Sequence, residues 1–246
     1  MTIAVLSDVH ANLEALSAVL REMDLAAPDL MVSLGDLVGY NADPEACVTE
    51  VLDRAAASVR GNHDKAVAGH MGLEWFNPVA AEAARWTRRA IGAQVLGRLS
   101  RLAAGPVAMA GGVLLCHGTP CDEDEYLASE GAVRESFQTL ERDHPAVHYC
   151  LHGHTHVPLA VEYKGGRWRR LAGSQIRLEA SARYLLNPGS VGQPRDGNPQ
   201  ASFGILDLSH GSWRIVRVPY DVAGARGKIA AARLPAELAA RLTEGW

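Results

Sequence analysis

The first sixty residues alternate short apolar runs with amphipathic stretches. Residues 2–7 and 30–34 are apolar runs typical of buried strands, and residues 57–59 predict a third strand. Between the first two runs, Asn12 precedes apolar residues at helical spacing, which are Leu13, Leu16, Val19, Leu20 and Met23. A second helix is predicted after Asp43-Pro44. Because strands joined through helices must run parallel, with the helices on the sheet faces, the pattern predicts an α/β domain.

The pattern changes after residue 64. Residues 65–104 contain no convincing strand, and Ala, Leu and Trp recur at helical spacing around Pro78, which predicts a helical cap inserted into a single domain of residues 1–246. Strands are predicted at 106–110 and 112–116, joined at Gly111-Gly112, with a helix near 129–142 and a strand near 147–151. From residue 157 the runs become antiparallel, with turns at 164–166 and 209–211. The segment 223–246 is predicted to be helical, with an interruption at Pro235.

Composition adds few constraints. The 246 residues are 48% hydrophobic and 21% charged, which is ordinary for a soluble enzyme, and the net charge of −4 gives no case for non-specific nucleic-acid binding. The four cysteines form no C-x-x-C pair, and neither a secretory segment after Met1 nor a membrane span is evident. We therefore expect reduced thiols, a cytoplasmic location and no membrane partner, whereas the oligomeric state is left open.

Polar residues with metal-ligand chemistry follow the predicted strands. The interval from His10 to Asp36 is 26 residues and so is that from Asp36 to Asn62, close to one strand–helix–strand unit, so these residues should meet at one sheet edge. The complete set is Asp8, His10, Asp36, Asn62, His117, His154 and His156. Carboxylate, imidazole and amide donors suit Mn²⁺, Fe²⁺, Zn²⁺ or Ni²⁺. Seven ligands are too many for one catalytic ion with an open position, and they suit two ions that share a bridge, an arrangement that points to phosphate-ester hydrolysis.

The series D-x-H, G-D, G-N-H-D, H-G and G-H-T-H resembles the calcineurin-like metallophosphoesterase superfamily. Residues 8–16 and Asn187-Pro188-Gly189-Ser190-Val191-Gly192-Gln193-Pro194-Arg195 resemble its small bacterial and archaeal phosphodiesterase branch, and the resemblance runs from about residue 2 to residue 218. It implies a four-layer α/β/β/α sandwich of two mixed sheets. It also implies that Asp8, His10 and His156 hold one divalent ion, that Asn62, His117 and His154 hold a second, and that Asp36 bridges them. Mn²⁺ is the first expectation, with Fe, Zn, Ni or Mg as alternatives.

The resemblance further implies that His63 faces the substrate and that Asp64 orients it. A histidinium at this position can protonate the leaving oxygen while a metal-bound hydroxide attacks phosphorus in line. The expected substrate is a small phosphodiester or a dinucleoside polyphosphate. The alternatives are a phosphomonoesterase acting on a protein or a small molecule and, from another class, a non-catalytic scaffold with the same fold.

Several residues near these motifs allow two interpretations. Tyr40 lines the substrate pocket or packs its loop, and Arg195 contacts phosphate or forms a salt bridge with Asp196. Asn41 is expected to tolerate a positive φ, and His152 to have a structural role at a strand end. The aromatic and arginine side chains of the cap also allow two interpretations: they stack on a nucleobase and pair with phosphate, or they seal a helix against the domain below. These residues are Trp75, Phe76, Arg85, Trp86, Arg88 and Arg89. The acidic run 122–125 is interpreted as a solvated helix start.

Overall fold

The computed structural model describes residues 1–246, which form two mixed six-stranded sheets. The strands are β1 (Thr2–Leu6), β2 (Leu30–Ser33), β3 (Ala57–Ser58), β4 (Val107–Met109), β5 (Val113–Leu115), β6 (Tyr149–Leu151), β7 (Leu159–Lys164), β8 (Arg167–Arg170), β9 (Gln175–Arg177), β10 (Arg183–Asn187), β11 (Ala201–Asp207) and β12 (Ser212–Val218). The first sheet has the order β3-β2-β1-β11-β12-β9, and the second has the order β4-β5-β6-β10-β7-β8.

Eight helices accompany the sheets. They are α1 (Leu13–Ala26), α2 (Pro44–Arg54), α3 (Asn62–Ala68), α4 (Pro78–Ala90), α5 (Ala93–Leu99), α6 (Glu130–Asp143), α7 (Val222–Ala231) and α8 (Ala236–Glu244), with a 3₁₀ turn at Leu73–Trp75. The helix α1 begins as predicted, because the Asn12 side chain accepts a hydrogen bond from the Ala15 amide at 3.1 Å. No helix is long and apolar enough to cross a membrane.

The side chains of each sheet alternate between two buried layers. In β1, Ala4 and Leu6 pack with the apolar faces of α1 and α2, whereas Ile3 and Val5 pack with residues of the second sheet. On the opposite face of the second sheet, Leu114 packs with residues of α6. The layers therefore run α/β/β/α, and the expected four-layer architecture is confirmed.

The parallel strands bring the candidate ligands to one region. Strands β1, β2 and β3 are mutually parallel, and Asp8, Asp36 and Asn62 follow their carboxyl ends. Strands β5 and β6 are parallel in the second sheet, and His117 and His154 follow them. The predicted helical content of residues 65–104 is confirmed, as are the hairpin at Gly111-Gly112, the antiparallel second half and the two C-terminal helices.

Two local expectations are wrong. Asn41 does not adopt a positive φ; Gly39 and Tyr40 do, while the Asn41 side chain donates to the His10 carbonyl at 2.8 Å. The acidic run 122–125 is not a helix start, because α6 begins only at Glu130, with Ser129 as its cap. Instead, Glu123 pairs with Arg60 and Lys65, so that the run is attached to the start of α3.

Candidate metal centre

The loops that carry the candidate ligands have unusual backbone angles. Positive φ values occur at Asp8 (55°), His10 (49°), Asp36 (53°), His154 (66°) and His156 (59°). A positive φ at a non-glycine residue raises the free energy of the folded state by on the order of 1–3 kcal/mol, and such residues concentrate at functional sites. The backbone is therefore held by the surrounding structure in a conformation that turns these side chains toward each other.

A first group of donors consists of Asp8, His10, Asp36 and His156. Their ligand atoms lie within 4.8 Å of one another, and all four side chains are buried. The Nε2 atoms of His10 and His156 are 3.1 Å apart, and Asp8 Oδ1 lies 3.2 Å from His156 Nε2. Asp8 Oδ1 has no hydrogen-bond partner, although it is fully buried, so it is available as a ligand.

A second group consists of Asp36, His117 and His154, again with ligand atoms within 4.8 Å of one another. His117 Nε2 and His154 Nδ1 are 3.0 Å apart. Asn62, at the first position of α3, has a buried Oδ1 atom without a hydrogen-bond partner. A buried amide oxygen that no protein donor satisfies is consistent with a fourth donor to this group.

Asp36 connects the two groups. Its Oδ2 atom lies 3.6 Å from His10 Nε2 and 3.5 Å from His117 Nε2, whereas Oδ1 accepts a hydrogen bond from the His63 amide at 2.9 Å. One carboxylate therefore faces an imidazole of each group and is fixed from behind by the backbone of α3. This is the position that a bridging ligand would occupy.

The histidine tautomers test whether divalent ions fit these groups. In each of the four rings, the nitrogen that points away from the site meets a backbone carbonyl oxygen: Val38 for His10, Gln193 for His156, Leu34 for His117 and Asp124 for His154. Carbonyl oxygens only accept hydrogen bonds, so that nitrogen carries the proton and the inward nitrogen of a neutral ring presents a lone pair. The lone pairs of His10 Nε2 and His156 Nε2, which are 3.1 Å apart, repel each other unless a cation lies near both. The donor sets therefore fit divalent ions.

Burial and neighbouring charge determine the protonation of the ligands. Burial lowers the pKa of His154 to about 3 and also lowers the pKa of His10 and His156, which favours the neutral, metal-binding form. Burial acts in the same direction on His117, but the adjacent Asp36 carboxylate outweighs it and raises the pKa of His117 to about 10. The Asp36 carboxyl has a lowered pKa, because the neighbouring histidines outweigh its desolvation.

His63 lies beside the two groups and belongs to neither. Its ring contacts the rings of His10, Tyr40 and Phe76 at centroid distances of 4.8, 4.5 and 4.8 Å. Its Nδ1 atom is buried without a hydrogen-bond partner, and burial lowers the pKa of His63 to about 4, against the attraction of Asp36. A Cβ on Gly39 would lie 2.3 Å from His63 Nδ1, so only glycine at this position leaves room for the ring.

Asp64 does not orient His63 by contact, in contrast to the expectation from sequence. Its Oδ1 atom accepts hydrogen bonds from the amides of Leu37 and Val38, at 2.9 and 3.3 Å, and Oδ2 accepts from the Gly61 amide at 3.0 Å. Asp64 therefore ties the loop after β2 to the start of α3. It positions the backbone that follows Asp36 instead of touching the His63 ring.

Tyr40 and Arg195 are hydrogen-bonded to each other beside the first donor group. Tyr40 is only 5% exposed and packs against His10 and His63, so the packing interpretation is confirmed, whereas a substrate contact stays a prediction. Arg195 donates to the Tyr40 hydroxyl at 3.2 Å, and its buried Nε has no partner. The alternative salt bridge with Asp196 is wrong, because Asp196 pairs with Arg217.

The remaining polar and aromatic candidates separate into structural and exposed residues. His152 is buried, hydrogen-bonds Asn187 through Nδ1 at 3.2 Å and belongs to neither donor group, in agreement with a structural role. Arg88 donates to the carbonyls of Ala66 and Val67 at the end of α3, and Trp86 packs against a buried apolar cluster. Trp75, by contrast, is 78% exposed and does not seal a helix.

Sequence reasoning missed the four carbonyl groups that orient the histidines. Every residue carries a carbonyl, so no side-chain pattern marks these positions. Ser7 was also missed; its hydroxyl donates to Asp8 Oδ2 at 2.5 Å, and the His154 amide donates to the same oxygen at 3.1 Å. The position of Ser7 directly before the first motif was the available signal.

Comparison with known proteins agrees with this geometry. Residues 1–211 match the model of the calcineurin-like phosphoesterase superfamily domain. The chain is 38% identical over 250 residues to an uncharacterized protein of Methanocaldococcus jannaschii, covering 99% of this chain and 98% of that protein. The crystal structure of a metallophosphoesterase from Sphaerobacter thermophilus is 37% identical, with a TM-score of 0.84 over 100% of this chain and 99% of that chain. A hypothetical protein from Pyrococcus horikoshii OT3, 18% identical, shares the fold with a TM-score of 0.80 over 100% and 98% of the two chains. The chain therefore belongs to the calcineurin-like phosphoesterase superfamily.

Proposed function

We propose that this protein is a phosphodiesterase that works with two divalent metal ions and cleaves a small phosphodiester or a dinucleoside polyphosphate. The observation that carries the proposal is the position of Asp36, whose Oδ2 atom faces both donor groups at 3.5 and 3.6 Å. Asp8, His10 and His156 would hold one ion, Asn62, His117 and His154 the other, and Asp36 would contact both. Divalent ions in such a site supply Lewis acidity toward phosphate and lower the pKa of water.

The protein groups around the ions support the remaining tasks. The Arg195 side chain is half-buried and its buried Nε has no partner, so it can donate to a phosphate oxygen. The His63 ring makes no hydrogen bond within the protein and is held by Tyr40 and Phe76. It is therefore free to hold a proton for the leaving oxygen. Burial keeps the free His63 neutral, and the negative charge of a bound phosphate would favour its protonated form.

The space beside the second donor group supports the proposed substrate class. A cleft of about 500 Å³ has Asn62 and His154 in its wall, so a second substituent on the phosphate has room next to the second donor group. Phe76 contacts the His63 ring and also lines the cleft, which supports a role of residues 65–104 as a cap at this side. A phosphate with two substituents uses this space, whereas a phosphomonoester with a small substituent leaves it empty.

The proposal is tested by removing metal with a chelator and restoring Mn²⁺, Fe²⁺, Zn²⁺, Ni²⁺ or Mg²⁺ separately. Hydrolysis of bis-p-nitrophenyl phosphate should require added metal, and about two ions should bind per chain. His154→Ala should lower both measurements, whereas His210→Ala, at an exposed position outside the donor groups, should lower neither. Turnover of p-nitrophenyl phosphate that exceeds diester turnover would indicate a phosphomonoesterase. Absence of turnover with every metal would indicate a scaffold. A panel of cyclic nucleotides, oligonucleotides and diadenosine polyphosphates then identifies the preferred substrate.

A further inference from the structure

The cleft beside the second donor group has an aromatic wall. Trp75 and Tyr126 line it together with Phe76 and Met71. Trp75 is 78% exposed and Tyr126 is 49% exposed, although this protein buries other large aromatic side chains, such as Trp213 at 1%. Exposing two large rings in one cleft forgoes the stabilisation that their burial would provide, which is typical of a binding surface.

The aromatic wall is continuous with the proposed catalytic residues. The Tyr126 ring stacks on the His154 ring, with centroids 3.8 Å apart and planes inclined by 22°. The rings of Phe76 and His63 are perpendicular, with centroids 4.8 Å apart. A group attached to a phosphate between the two donor groups would therefore reach this wall without leaving the site.

The loop that carries Tyr126 is held in place. Glu123 accepts from Arg60 at 2.9 Å and from Lys65 at 3.0 Å, and Asp124 also pairs with Lys65. The Asp124 carbonyl accepts from His154 Nε2, so the loop is fixed both to α3 and to a candidate ligand. Asp124 is the one carboxylate among the residues that line the cleft, and Lys65 pairs with it.

We infer that this cleft is a stacking subsite for a planar aromatic substituent of the substrate ester, such as a nucleobase. The inference rests on the proposed phosphodiesterase function and specifies its substrate class as aryl or nucleoside phosphodiesters. Stacking of a base on an aromatic side chain typically changes affinity by about 5- to 150-fold, and it tolerates different bases because every base has a π-face. Trp75, the most exposed ring, should contribute most.

The experiment compares AMP with ribose 5-phosphate, which share the sugar and phosphate and differ in the base. Binding of each to the Mn²⁺-loaded protein is measured by titration calorimetry. The parent protein should bind AMP roughly tenfold more tightly. Trp75→Ala and Trp75→Leu should both bring this ratio close to one, while Trp75→Phe, which retains a ring, should preserve most of it. Trp246→Ala removes another exposed tryptophan, outside the cleft, and should leave the ratio and the turnover unchanged.

Each outcome decides the inference. A ratio near one in the parent protein, no binding of AMP, or a ratio that survives Trp75→Ala would overturn the subsite. Circular dichroism checks that the variants are folded, as expected for a change at an exposed side chain. Because binding is measured separately from turnover, failure of the subsite can be distinguished from failure of the proposed function. Base preference without phosphodiester hydrolysis would refute the function and retain the subsite, and hydrolysis without base preference would do the reverse.

Discussion

Replacing Asp36 by Asn should impair the site more than any other single ligand substitution. Asn preserves the shape of the side chain and can still accept from the His63 amide, but it removes the one negative charge that faces both donor groups. Unit charges about 4 Å apart interact by about 4 kcal/mol at an effective dielectric constant of about 20. A loss of that size corresponds to about 10³-fold weaker binding, and it applies to both ions. Replacing a histidine that belongs to one donor group weakens metal binding by that group alone.

The assay combines metal stoichiometry, measured by mass spectrometry after equilibrium dialysis, with hydrolysis of bis-p-nitrophenyl phosphate. We expect Asp36→Asn to retain less than one ion per chain at a metal concentration that saturates the parent, and to lose at least about 10³-fold in turnover. Asp24→Asn is the matched control, because Asp24 is exposed and pairs only with Arg54 at the surface. Stoichiometry near two ions together with good turnover in Asp36→Asn would refute the bridging role.

Three further substitutions test other parts of the site. His63→Ala should keep both ions and lose about 10²-fold or more in turnover, with the largest loss for alkoxide leaving groups and a smaller loss for p-nitrophenolate; metal depletion with a uniform loss would place His63 among the ligands. Arg195→Lys retains the charge but not the planar fork, so KM should rise roughly tenfold while metal content is unchanged, and an unchanged KM would exclude a phosphate contact. Gly61→Ala should lower both metal content and Tm, because its Cβ would lie 2.0 Å from Asp36 Oδ1, whereas Gly227→Ala, with open space around it in α7, should be neutral or slightly stabilising.

The local architecture of the first sheet could be predicted because its signals are local. Each of β1, β2 and β3 is a short apolar run followed by ligand residues, and α1 has both a cap and an apolar face. The equal 26-residue intervals reflect equal crossover units, and the structure confirms that these strands are parallel. By contrast, β1 also pairs antiparallel with β11, some 200 residues further along the chain. No local pattern encodes that pairing.

Three of the wrong expectations depended on tertiary contacts. The acidic run 122–125 has a composition suited to a helix start, but Glu123 pairs with Arg60 and Lys65, which lie about 60 residues earlier. Arg195 is next to Asp196 in sequence, yet Arg195 donates to Tyr40 and Asp196 pairs with Arg217. Asp64 adjoins His63 in sequence, but it contacts backbone amides instead of the imidazole. Adjacency along the chain is a poor guide to side-chain contact in loops, because each loop backbone sets its own side-chain directions.

The division of the donors between two sheets explains why the site depends on the whole fold. In the first group, Asp8 and His10 follow a strand of the first sheet, whereas His156 follows a strand of the second sheet. The second group likewise combines Asp36 with two histidines that follow strands of the second sheet. The distance between donors is therefore set by the packing between the sheets, where Ile3, Val5, Leu115 and Leu151 are fully buried in one apolar cluster. Because close-packed interiors resist small displacements, this layer holds the donors of both groups at fixed separations. Any change in the spacing of the sheets acts on both groups at once.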